Sequence, residues 1–103
     1  MNHDELIQLN QEIADLEQQL LEQQVILNET KKTFDIAKMT FKNGLDKKEF
    51  SNDEKREAAA LEEPSIKQAV KDIAEYDKKN KLLDIDIRFK LRLFNIMLKS
   101  ELM

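Results

Sequence analysis

LLDIDIRFKLRLFNIML, residues 82–98, is the stretch on which the fold turns. From Ile85 to Leu93 apolar and charged residues alternate, the period-two pattern of a half-buried strand. At 100° per residue the same letters form two apolar rows on a helix. Leu82, Ile85, Phe89, Leu93 and Ile96 make one row, and Leu83, Ile87, Leu91, Phe94 and Leu98 make a second beside it. Asp84, Arg88, Arg92, Asn95 and Lys99 collect on the narrow face that is left. Asp86 and Lys90 fall within the apolar arc, where they are expected to snorkel or to pair across an interface. Helix formers continue on both sides and no turn signal bounds the segment, which favours the helix. The competing strand over residues 85–93 would need a partner strand, such as one from a second copy, for its backbone groups.

The rest of the chain has the composition of long helices. Its 103 residues, enough for a single domain, contain one Gly and one Pro, so few places exist for turns. Glu, Lys, Gln, Leu and Ala lose little side-chain freedom in a helix. The charged fraction of 37% would also suit a disordered chain, but the apolar residues are too regularly spaced for that. The sequence predicts an all-α fold: a long antiparallel helical hairpin of the coiled-coil kind with a short connector helix, assembling into a helical bundle. Residues 1–103 are expected to form one helical domain. A long helix should span about 4–43, a connector with a short helix about 44–63, and a second long helix about 65–100.

The first helix carries a heptad seam. Leu6, Leu9, Ile13, Leu16, Leu20, Gln23, Leu27, Thr30, Phe34, Ala37 and Phe41 follow one another at steps of three and four without a slip. The hairpin seam is assigned to Leu6, Leu9, Ile13, Leu16, Leu20, Leu27, Phe34 and Phe41. Gln23 and Thr30 interrupt it, as a looser, wetter level or as a buried hydrogen bond that fixes register. Gly44 is suited to end the helix in a left-handed conformation. Ser51 and Glu54 fit a capping box for the connector helix, and Pro64 either starts or kinks the next one. In that last helix Ile66, Ala69, Ile73, Tyr76, Asn80, Leu83 and Ile87 continue the spacing, with Leu91, Phe94 and Leu98 following after a step of four.

Charge is unevenly spread. Residues 1–30 hold seven acidic side chains and no Lys or Arg, whereas the other 73 residues hold 17 basic and 14 acidic ones. An antiparallel arrangement sets the acidic start beside Arg88, Lys90, Arg92 and Lys99. Exposed pairs of this kind contribute only about 0.2–1 kcal/mol each, so charge selects the alignment more than it stabilises it. A two-helix hairpin has one dry face and cannot cover both apolar rows of residues 82–98. Self-association is therefore expected, most simply as a two-fold homodimer forming a four-helix bundle, with Leu82, Ile85, Phe89, Leu93 and Ile96 at the oligomer interface.

Chemistry is sparsely represented. Without Cys there is no thiol nucleophile or thiolate metal site, and His3, the only histidine, sits near the start of the chain. The Glu-x-x-His pairs of di-iron bundles and the Gly-rich loops that cradle phosphate are absent. No catalytic residue, cofactor or metal is assigned, and an enzyme is not expected. No signal peptide or membrane span is apparent, so a soluble cytoplasmic protein without membrane association is expected. Arg88, Arg92 and Lys99 are the candidate nucleic-acid contacts. Other basic clusters have acidic neighbours, and the net charge of −4 weighs against strong DNA binding. An acidic helical surface instead suits binding to another, unidentified protein.

The order of a long helix, a charged connector "SNDEKREAAALEE" and a second long helix ending in "DIRFKLRLFNIMLKS" loosely resembles small uncharacterised proteins of phage and prophage early regions. The resemblance covers nearly the whole chain with motifs of low specificity, and it supplies no site residues. It implies a mobile-element accessory protein that aids recombination or replication or inhibits a host system. Three functions follow as expectations: a non-enzymatic oligomeric protein that binds another protein, a nucleic-acid-associated accessory factor, and a scaffold or assembly chaperone.

Overall fold

The structure, a computed structural model, describes residues 3–102. It is all-α, with α1 (His3–Asn43), α2 (Asp53–Glu62) and α3 (Pro64–Leu102). Among the described residues there is no strand, and residues 85–93 lie inside α3. The alternation there is a by-product of the two apolar rows. No helix of the described residues is long and apolar enough to cross a membrane.

Contacts divide the chain into two units. The first joins residues 1–25 to 78–103, and the second comprises residues 26–77. In the first, α1 and α3 are antiparallel. Leu6, Leu9 and Ile13 of α1 form a buried cluster with Met97 of α3, and Phe94 packs against it. Further along, Glu12 meets Lys90 at 3.5 Å, and Asn80 Nδ2 donates to the Gln23 carbonyl at 3.5 Å. Rising numbers on one helix thus meet falling numbers on the other.

The inner row of α3 differs from expectation at its C-terminal end. Leu83, Ile87 and Phe94 face inward, but Leu91 and Leu98 are exposed and Met97 is buried. The steps of three and four run on from Ile87 through Lys90 to Phe94 and Met97. Lys90 occupies a seam position, half-buried, with its ammonium at Glu12.

Among the described residues, Gln23 and Thr30 make no register-setting bond between their own side chains and α3. Thr30 Oγ1 donates back to the Ile26 carbonyl at 2.7 Å, the local bond that competes with longer-range pairing. Gln23 Oε1 is buried and has no hydrogen-bond partner among the described residues.

In the second unit, α2 and the start of α3 pack on the later part of α1. Ile66 is 2% exposed and Ala60 is fully buried. Ile26, Thr30, Phe34 and Ala37 border one groove with Ile66, Ala69 and Asp72, again an antiparallel match. Helix α1 ends without a left-handed glycine. No glycine has positive φ. Gly44 N bonds to the carbonyls of Thr40 and Phe41 at 3.2 and 3.1 Å, and Leu45 N bonds to Lys42 O at 3.3 Å. These shortened steps tighten the last turn and satisfy its carbonyls.

The cap of α2 is Asn52 rather than Ser51. Asn52 is extended (φ −127°, ψ 165°) and its side chain accepts from Lys55 N at 2.8 Å. Either residue type can cap, and the helix starts one residue later than a Ser51 cap requires. Pro64 is the first residue of α3, where its missing N–H costs nothing. Glu63 closes α2 by donating its N–H to Ala60 O at 3.1 Å and opens α3 by accepting from Ile66 N at 3.1 Å.

Candidate functional site

Two constellations stand out, one in each unit. In the second unit Lys38, Lys42, Glu57 and Asp53 join α1 to α2. Lys38 reaches Glu57 at 2.8 Å, and Lys42 reaches Asp53 at 2.8 Å and Glu57 at 3.0 Å. Hydrogen bonds from Lys38 and Lys42 hold the Glu57 carboxyl below its ordinary range, and bonds to Asp53 and Glu57 raise Lys42. Lys38, Lys42 and Asp53 also line an open groove of about 950 Å³ with Asp35, Lys47 and Arg56. Lys38 and Lys42 are already held by Glu57 and Asp53, so this cluster is a fastening between helices.

The second constellation is the outer row of α3 in the first unit. Leu82, Ile85, Phe89, Leu93 and Ile96 are all exposed; Ile85 and Ile96 are about ten times more exposed than Ile87. In numbers, Ile87 is 6% exposed, Ile85 60%, Phe89 61% and Ile96 62%. At 1.5 Å per residue the row is about 21 Å long. Isolated exposed apolar residues are ordinary, whereas these five lie on one helix face.

The hairpin-seam residues lie elsewhere. Leu6, Leu9, Ile13 and Leu27 are buried, while Leu16, Leu20, Phe34 and Phe41 are half-buried. His3 is exposed at the start of α1.

Charges border the outer row on both sides. At 100° per residue, Arg88, Arg92 and Lys99 fall along one flank. Arg88 pairs with Asp84 one turn earlier, which strengthens its hold on its proton. Arg92 and Lys99 are exposed. Asp86 lies on the other flank, with an edge of α1 beyond it. Leu82 and Asp86 share an open notch of about 400 Å³ with Lys79 of α3 and Gln19 and Glu22 of α1. Glu12 and Asp15 continue the same edge of α1, at the three-and-four spacing of one helix face.

Compared with protein-family models, curated proteins and solved structures, the chain matches none. The site must therefore be read from its own residues. Among the described residues no group of three or more His, Asp or Glu side chains is placed to hold a metal ion. The arrangement is an apolar strip with Arg88, Arg92 and Lys99 along one border and Asp86 with an acidic edge of α1 along the other. The sequence sets the acidic start of α1 beside the basic end of α3 without naming which acids border this strip. The signal for them was present in the seam: fixing Lys90 at an inner position turns Glu12, Asp15 and Glu22 toward the outer row of α3.

Proposed function

We propose that this chain is a non-enzymatic helical interaction protein that self-associates through the outer row of α3 and binds another protein. The supporting observation is that row: five large apolar side chains on one exposed face of a helix whose neighbouring inner row is already packed. Water contact with these side chains is unfavourable by about 25 cal/mol for each Å² that a partner would cover. The resemblance to phage early-region proteins adds a role as an accessory of a mobile element or an inhibitor of a host system.

Sedimentation equilibrium across the micromolar range tests self-association. A concentration-dependent mass approaching twice that of the chain is expected, and a monomer throughout would overturn the proposal. A second function, contact with nucleic acid, draws on the exposed Arg92 and Lys99 beside Arg88. Phosphate contacts should then strengthen as salt is lowered, so a gel shift with single- and double-stranded DNA at low salt separates the two. An absent shift removes the nucleic-acid role.

A further inference from the structure

The outer row is spaced in a way that leaves direction open. The steps between Leu82, Ile85, Phe89, Leu93 and Ile96 are three, four, four and three, the same from either end. A second α3 could therefore lie on this row in the same or the opposite direction without a change in apolar contacts. The charged borders are not so indifferent.

In an antiparallel two-fold pair each border faces its own copy. Arg88, Arg92 and Lys99 would then meet the same basic row of the second chain, and Asp86 would meet acid. In a parallel two-fold pair the basic border of one copy faces the acidic border of the other. The internal Glu12–Lys90 contact also sets the levels. It places Asp15 within about one residue of the level of Arg88 and Glu12 within about two residues of Arg92, roughly 1.5 and 3 Å, because the helices are antiparallel and rise by about 1.5 Å per residue. A two-fold axis parallel to the helices preserves level, so opposite charges come abreast along the row. Like charges set side by side in an interface are selected against.

We infer that the chain forms a parallel two-fold dimer in which the two α3 outer rows pack against each other in register, with the Arg88–Arg92–Lys99 border of each copy beside the Glu12–Asp15 edge of the other. This orientation rests on the self-association proposed above and adds its geometry.

Because the chain has no native cysteine, single-cysteine variants report direction cleanly. Leu82→Cys, Phe89→Cys and Ile96→Cys, each at an exposed position, are made in the full chain, with Ile7→Cys on the other helix as a reference. Circular dichroism confirms the helix content of each. Under mild oxidation Leu82→Cys alone and Ile96→Cys alone should form covalent dimers at least tenfold faster than Ile7→Cys. Mixing the two should not raise the rate. If Leu82→Cys and Ile96→Cys cross-link mainly with each other, the pair is antiparallel and the inference is overturned while self-association stands. A sedimenting dimer in which Phe89→Cys does not cross-link overturns it too, because the dimer then uses another surface. A chain that sediments only as a monomer removes the underlying self-association as well.

Discussion

Helix α3 carries two apolar rows built from the same residue types, and they differ only in what covers them. Ile87 and Met97 lie against α1 in the first unit, whereas Ile85, Phe89 and Ile96 face outward on the same turns. Hydrophobicity alone does not say which row is core and which is contact surface. The partner helix decides, and α1 has one seam to offer.

The sharpest way to break that contrast is to shorten one side chain in each row. Ile87→Ala should cost about 2–5 kcal/mol, since it removes buried methyl groups from a packed seam. Ile85→Ala, two residues away, should change stability by less than about 0.5 kcal/mol in a dilute monomer. Urea unfolding of both variants measures this, and equal losses would mean that the outer row is buried within a single chain. The complementary variant, Phe89→Glu, should leave the helices intact and weaken self-association at least tenfold, or about 1.4 kcal/mol, as read by sedimentation.

A smaller effect of opposite sign is expected inside the seam. Gln23 Oε1 is buried without a hydrogen-bond partner among the described residues, so Gln23→Leu should stabilise the chain by about 1 kcal/mol in urea unfolding. Gly44→Ala should be neutral or stabilising by about 0.4–1 kcal/mol, since an added Cβ would meet Phe41 O at 3.5 Å and no positive φ is needed. A loss on thermal melting would show that the turn requires glycine after all.

The least effect is expected from the half-buried ion pairs of the second unit, and it has a defined pH dependence. Glu57 is depressed by Lys38 and Lys42, so its contribution is present above the unfolded carboxylate value of about 4.3 and is lost as pH falls through the lower folded value. Lys42 is raised by Asp53 and Glu57, so its contribution is present below about 10.4 and is lost as pH rises through the higher folded value. Glu57→Gln should therefore flatten the acid side of a melting-temperature profile and leave the neutral plateau nearly level.

The all-α class was legible because steps of three and four persist over most of the chain and because only one Gly and one Pro interrupt it. The end of the inner row was not. Lys90 breaks the apolar pattern by letter while keeping it by position, so Leu91 and Leu98 looked like seam residues although Met97 holds the place. Local end signals were ambiguous for a related reason. Ser51 and Asn52 are both good caps, and only the first helical residue chooses between them. The outer row could be recognised from its spacing and an acidic neighbour from the charge asymmetry, but which acids border the row depended on the seam position of Lys90, because that border is contributed by a helix some 70 positions away in the chain.

Glu63 sits where α2 stops and α3 starts, and it acts on both sides of the corner. Its main chain ties off one rod while its carboxylate, also met by the Ser65 hydroxyl, anchors the first turn of the next. The corner therefore has no slack: a single inserted residue would move the hook off its target. Natural length variation in relatives of this chain should accumulate in the stretch before α2 and spare this joint.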